Sequence, residues 1–175
     1  MLRRLQQRLA QPLAELDRRA PWLLKDPRLS VLLPVWTTLA PAFVPVVAVR
    51  HPVEIAGSLQ DTPRGRYPTP FLLLLWQKYM ARMLADLAGR SAIFVDYHRL
   101  LAQPEAQMQR LGRLLAGAGV AGLKPMSDQV ARAHFDPRLH RQQVDADGLA
   151  LMTADQQRLF RSEERRVGKE CRSRW

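Results

Sequence analysis

The chain has 175 residues, 47% of them hydrophobic, and a formal charge of +11, which suits one domain with a real core and leaves too little for two. No apolar run reaches the roughly 18 residues of a membrane span, and MLRRLQQRLAQ at the start lacks the apolar centre of a signal peptide, so a cytoplasmic protein with no membrane span is expected. The lone cysteine, Cys171, gives no basis for a disulfide framework, and no G-x-x-x-x-G-K-[ST] or G-x-G-x-x-G occurs, which argues against P-loop NTPases, kinases and dinucleotide enzymes.

Residues 1–11 set Leu2, Leu5 and Leu9 at helical spacing among Arg3, Arg4, Gln7 and Arg8, an amphipathic helix that Pro12 kinks and that Leu13 and Leu16 carry to about Arg19. In residues 22–27, WLLKDP, a short apolar run meets a charged end and a proline, the pattern of a strand stopping at Lys25. Lys25 and Asp26 also suit mutual pairing, or capping of the next helix. Residues 30–39 read as a helix kinked at Pro34. Next comes VPVVAVRHPVEIAGSL, residues 44–59: a valine-rich strand expected to be buried on both faces, a stop at Arg50, a turn at His51, and a helix with Pro52 in its first turn. In a parallel sheet, that junction of strand end and helix start is where anions bind. Arg50 and Ser58 suit such a site, and equally suit a sheet edge and a solvated helix face.

Residues 60–70 form a basic, turn-rich loop with Arg64, Arg66 and Tyr67. Thr69 and Pro70 then start the longest helix, residues 71–87, with Leu72, Trp76, Tyr79, Met80, Met83, Leu84 and Leu87 inward and Gly89 as its stop. A further strand is expected over residues 91–95, then Asp96-Tyr97-His98-Arg99. Helices are expected over residues 105–115, 127–135 and 154–160, with a basic turn at 136–141 holding Arg138, His140 and Arg141. His134 and His140 have no third ligand type near them, so no metal site is expected. His98 is read as a surface histidine in preference to a general base.

Residues 161–175, RSEERRVGKECRSRW, differ from all this: they have neither a helical nor a strand period and almost no aliphatic content. They resemble, over their whole length, the in-frame translation of a common short-read sequencing adapter. The expected division is a partial domain over residues 1–160 and an artefactual tail over 161–175. Without the tail's six basic and three acidic residues the charge falls from +11 to +8.

Three segments carry a family resemblance. R-H-P-V-E-I-A-G-S, with Arg50 and Ser58, resembles the 3′-phosphate-binding segment of sulfotransferases that use 3′-phosphoadenylyl sulfate (PAPS). K-D-P at residues 25–27 resembles the segment of tyrosylprotein and related bacterial sulfotransferases whose lysine reaches the transferred group. F-V-D-Y-H-R-L-L, residues 94–101, resembles the family's strand-end block, with His98 and Arg99 in place of its usual acidic pair. The resemblance implies that Arg50 and Ser58 hold the 3′-phosphate of the cosubstrate PAPS, that Tyr97 lies against adenine, and that Lys25 stabilises charge on the bridging oxygen, with no metal. Its Gly-, Ser- and Thr-rich loop for the 5′-phosphosulfate has no counterpart before Trp22. The implied fold is therefore α/β: a parallel sheet of at least three strands, near Leu23, Val47 and Phe94, flanked by helices, a P-loop-NTPase-like sulfotransferase fold lacking its first strand and loop.

The implied function is that of a sulfotransferase fragment, inactive as given, whose partners are the nucleotide and an unidentified hydroxyl or amine acceptor. The alternatives are a basic module binding nucleic acid through Arg3, Arg4, Arg8, Arg18, Arg19 and the Arg64 loop, or another nucleotide-dependent transferase of similar topology. Nucleic acid is the less favoured partner, because the aromatic residues are expected inward instead of among the arginines.

Overall fold

The computed structural model describes residues 2–62, 67–135, 144 and 146–167. The loop arginines Arg64 and Arg66 and the expected basic turn at 136–141 lie outside the described residues. In chain order the elements are α1 (Leu2–Asp17), α2 (Leu29–Leu39), β1 (Val46–Val49), α3 (Pro52–Gln60), α4 (Thr69–Asp86), β2 (Ile93–Asp96), α5 (Tyr97–Ala102), α6 (Pro104–Gly117) and α7 (Asp128–His134). A 3-10 turn (Ala146–Leu151) and α8 (Ala154–Glu164) follow.

The fold is mixed α/β and mostly helical. β1 and β2 pair in parallel, Val46 opposite Ile93 and Val49 opposite Asp96, and the connection between them runs through α3 and α4. Parallel neighbours require a crossover of this kind, since no tight turn can reverse the chain twice. Val47, Val49 and Phe94 pack into one core with Ala56, Leu72, Leu73, Trp76 and Leu87, while α6 packs against β2.

Two expectations about the sheet need correction. Among the described residues it has two strands, not three: residues 22–26 take no regular structure, and Leu23 is 86% exposed. The apolar run there is short, and its ends are held by local bonds. The Trp22 indole donates to Asp17 at 2.9 Å, and the Asp26 carboxylate accepts from the backbone N–H and the side chain of Arg28, closing a turn into α2. Asp26 thus pairs with Arg28 and not with Lys25. Nor is β1 covered on both faces. Val47 and Val49 are buried but Val46 and Ala48 are exposed, the alternation of a strand with one covered side, whereas Ile93, Phe94 and Val95 of β2 are all buried.

The long helix matches its apolar stripe closely: Leu72, Trp76, Met83 and Leu87 are buried, and Tyr79, Met80 and Leu84 half-buried. Leu73, just off that stripe, is buried as well, because α4 packs against α2, α3 and α8 together. Its start is shifted by a residue, with Pro68 as the cap and Thr69 already helical. Gly89 and Gly119, at φ of +77° and +89°, take the left-handed conformation that ends α4 and α6.

α8 begins with reciprocal bonds between Thr153 and Gln156 and continues past the expected end at Phe160 to Glu164. This extension carries Glu163 into the interior, where it is 1% exposed and its Oε1 has no hydrogen-bond partner. Burial pushes its carboxyl up to about 8, and Arg166 nearby offsets this only in part. Because the folded value lies above the unfolded 4.5, the fold favours the protonated acid. The penalty is absent below about pH 4.5, grows as pH rises and is complete above about 8. Each unit costs about 1.4 kcal/mol, so the penalty at pH 7 is about 3 kcal/mol. Glu163→Gln is expected to stabilise the protein by about 4 kcal/mol at pH 8 and hardly at all at pH 4, as measured by urea unfolding at the two pH values.

Candidate functional site

Val49 and Asp96 are partners in the ladder, so the residues that follow them, Arg50 and Tyr97, leave the sheet side by side at its carboxyl edge. The Arg50 guanidinium carbon lies 4.6 Å from the centre of the Tyr97 ring, a cation over an aromatic face. His51 ends the extended backbone, and its Nδ1 accepts the Val53 N–H at 3.3 Å, capping α3, while Pro52 sits in the first turn where no N–H is needed. Burial lowers the His51 imidazole below its usual value, against the pull of Glu54 and with a further push from His98. A neutral ring is the form whose Nδ1 can accept that bond.

Glu54 draws these pieces together. It is 3% exposed, and a single oxygen, Oε2, receives Arg50 Nε at 3.0 Å and His98 Nε2 at 3.1 Å. One carboxylate therefore ties the end of β1, the first turn of α3 and the first turn of α5. Glu54 is not among the residues expected at the site, although the sequence carries two signals for it: an acid four residues after Arg50, and an acid in a helix's first turn, where free N–H groups and the helix dipole favour negative charge. His98, read from sequence as a surface histidine, is half-exposed but bonded inward to this carboxylate.

Of the residues expected at the site, Arg50 and Tyr97 are in contact. Ser58 is exposed on α3 one turn beyond Glu54, about 6 Å further along the helix axis. Lys25 lies in exposed coil before α2 and is not among the residues gathered here. Asp96 accepts the Arg99 N–H at 2.9 Å and caps α5, which sets the direction in which Tyr97 and His98 leave the strand.

An open cleft of about 390 Å³ adjoins this corner. His51, Glu54 and His98 line one side, and Leu149, Gln157, Phe160, Arg161 and Glu164 of the C-terminal elements line the other. The Phe160 ring meets His51 edge-on at 4.9 Å between centres. The cleft therefore combines an apolar wall with two carboxylates, two imidazoles and the guanidinium of Arg161. Among the described residues no group of three His, Cys, Asp or Glu is placed to hold a metal ion, and no helix is long and apolar enough to cross a membrane.

The chain matches no family model, no curated protein and no solved structure.

Removing one partner of a buried ion pair strands the other charge, whereas replacing both by apolar groups can be close to neutral. Glu54→Ala is expected to cost about 3 kcal/mol in chemical unfolding, because Arg50 is only 18% exposed, and the double variant Arg50→Met/Glu54→Leu to recover most of that loss. A double variant as unstable as the sum of its singles would show that the pair is not the cause.

Proposed function

We propose that residues 1–160 are part of a sulfotransferase that moves a sulfuryl group from PAPS to a hydroxyl or amine acceptor. One observation carries it: Arg50 and Tyr97, from separate resembling segments, meet at the carboxyl edge of two parallel strands beside a helix start. This is the place in an open α/β sheet where nucleotide phosphates bind. The bond from Arg50 to Glu54 uses Nε alone, one of five N–H groups on a guanidinium. In this function Arg50 and Ser58 hold the 3′-phosphate and Tyr97 lies against adenine.

Transfer breaks the bond between sulfur and the bridging oxygen, forms one to the acceptor, and releases adenosine 3′,5′-bisphosphate. Lys25 offsets the charge that develops on the bridging oxygen. The acceptor's proton passes to a base that none of these four residues supplies. Such reactions depend on positioning and cationic stabilisation more than on covalent participation by the protein. No segment before Trp22 supplies a Gly-, Ser- and Thr-rich anion loop for the 5′-phosphosulfate, so nucleotide binding is expected of this chain and turnover is not.

Residues 161–175 form no part of this function. A buried carboxylate oxygen without a partner, on Glu163, is what a segment never fitted to this core would leave.

The exposed arginines Arg3, Arg4, Arg8, Arg18 and Arg19 along and after α1 favour an alternative, a basic module for nucleic acid. Calorimetric titration separates the two. Adenosine 3′,5′-bisphosphate is expected to bind at least tenfold tighter than 5′-AMP, and Arg50→Ala to abolish that preference, a loss of about 2 kcal/mol for charge-assisted bonds to phosphate. Equal affinity for the two nucleotides, together with duplex DNA binding that falls steeply with salt, would favour the basic module.

A further inference from the structure

α1 and the segment after it carry an amphipathic surface remote in function from the corner at the sheet edge. With 3.6 residues per turn, Leu5, Leu9, Leu13 and Leu16 fall within about 80° of one another around the helix axis, and Arg3, Arg4 and Arg8 lie about 95–135° from the midline of that stripe. The four leucines are half-buried or exposed, and none joins the core cluster around Val47, Trp76 and Phe94. α2, α3 and α8 pack against α4, and α7 against α6, but among the described residues α1 packs extensively against no other element. Its apolar stripe is therefore only partly covered.

Beyond α1 come Arg18 and Arg19, both exposed, and the chain then turns so that the Trp22 indole donates to Asp17 at 2.9 Å. That bond keeps the next residue, Leu23, close to the end of the leucine stripe, where Leu16 is 41% exposed; Leu23 itself is 86% exposed. We infer that α1 and residues 18–24 bind the surface of an anionic lipid bilayer, the leucines entering the acyl boundary and the arginines meeting the lipid headgroups. This surface is independent of the proposed sulfotransferase function.

Charge complementarity selects this occupant. Residues 2–19 hold five arginines against two acids, Glu15 and Asp17, and among the described residues no ion pair takes up any of the five. A helix with a leucine stripe and arginines to either side lies in the plane of a membrane interface, and needs no span to do so. The long arginine stems reach up past the apolar face and leave their guanidinium heads at phosphate level. Duplex DNA would take up the arginines alone and leave Leu16 and Leu23 in water, whereas a bilayer interface takes both. Near an anionic surface each arginine is worth about fivefold in binding, so the three on α1 together are worth about a hundredfold.

The test is sedimentation of the full chain with vesicles of phosphatidylcholine alone and of phosphatidylcholine mixed with phosphatidylserine. Residues 161–175 bring cations of their own, but these are the same in every variant compared. Binding to the mixed vesicles is expected to exceed binding to phosphatidylcholine about a hundredfold, and Arg3→Gln/Arg4→Gln/Arg8→Gln to lose that preference. Leu16→Ser/Leu23→Ser is expected to weaken binding about tenfold. Both leucines are exposed, so this variant keeps the fold, which an unchanged urea midpoint verifies. Failure to sediment with the mixed vesicles overturns the inference. So does full-strength binding by the leucine variant, which would mean adsorption of charge without entry of side chains, or by the arginine variant, which would place the binding elsewhere on the chain. Duplex DNA that displaces the protein from the vesicles, and binds the leucine variant as well as the wild type, overturns it in favour of the basic module.

Discussion

A buried carboxylate at the first turn of α3 is the constraint on which the functional corner depends. Burying Glu54 calls for partners, and two basic side chains from different elements, Arg50 and His98, meet its Oε2. Removing Arg50 or Glu54 leaves the other's charge without its partner, so the carboxylate enforces the arrangement as much as it stabilises it. The stacking of Arg50 on Tyr97 follows from this, since the bond to Glu54 fixes the guanidinium close to the ring of the neighbouring strand's first helical residue. Capping adds a second restraint: His51 and Asp96 each turn a strand end into a helix start with a side-chain bond to a backbone N–H.

Much of this was legible in the sequence because it is local. A valine run stopped by Arg50, with Pro52 two residues on, specifies a strand, a turn and a helix whatever surrounds it. The stripe from Leu72 to Leu87 likewise specifies the inward face of α4. What was not legible depends on packing between distant segments. Leu73 looks as outward as its neighbours until three helices enclose α4. Glu54 looks like a polar residue on a helix surface, and its burial becomes evident only when α5 brings His98 against it. The apolar residues at 22–24 fit a strand by composition, but composition cannot supply a ladder partner, and here the Trp22 and Asp26 side chains hold the segment in another course.

The C-terminal elements show a related conflict between local and global preference. Residues 161–164 extend α8 because they contain nothing that stops a helix, and Thr153 and Gln156 cap its start well. Local agreement does not ensure global fit, however, and the same extension places the Glu163 carboxyl where only its neutral form is comfortable. The helix therefore walls one side of the cleft while straining the core beneath it.

The parallel ladder of β1 and β2 has a further consequence, for the timing of assembly. Arg50 and Tyr97 become neighbours only when two short strands find each other across the whole of α3 and α4, with Val49 set against Asp96. A slip of one residue would turn every side chain of one strand to the opposite face and part the two. The corner thus depends on a pairing between two segments that lie far apart in the chain. Such contacts carry a loop-closure cost that local ones do not, and slow folding. The capacity to receive a ligand at this edge is accordingly a sensitive indicator of whether the sheet has closed, and a ligand bound there would in turn brace that pairing.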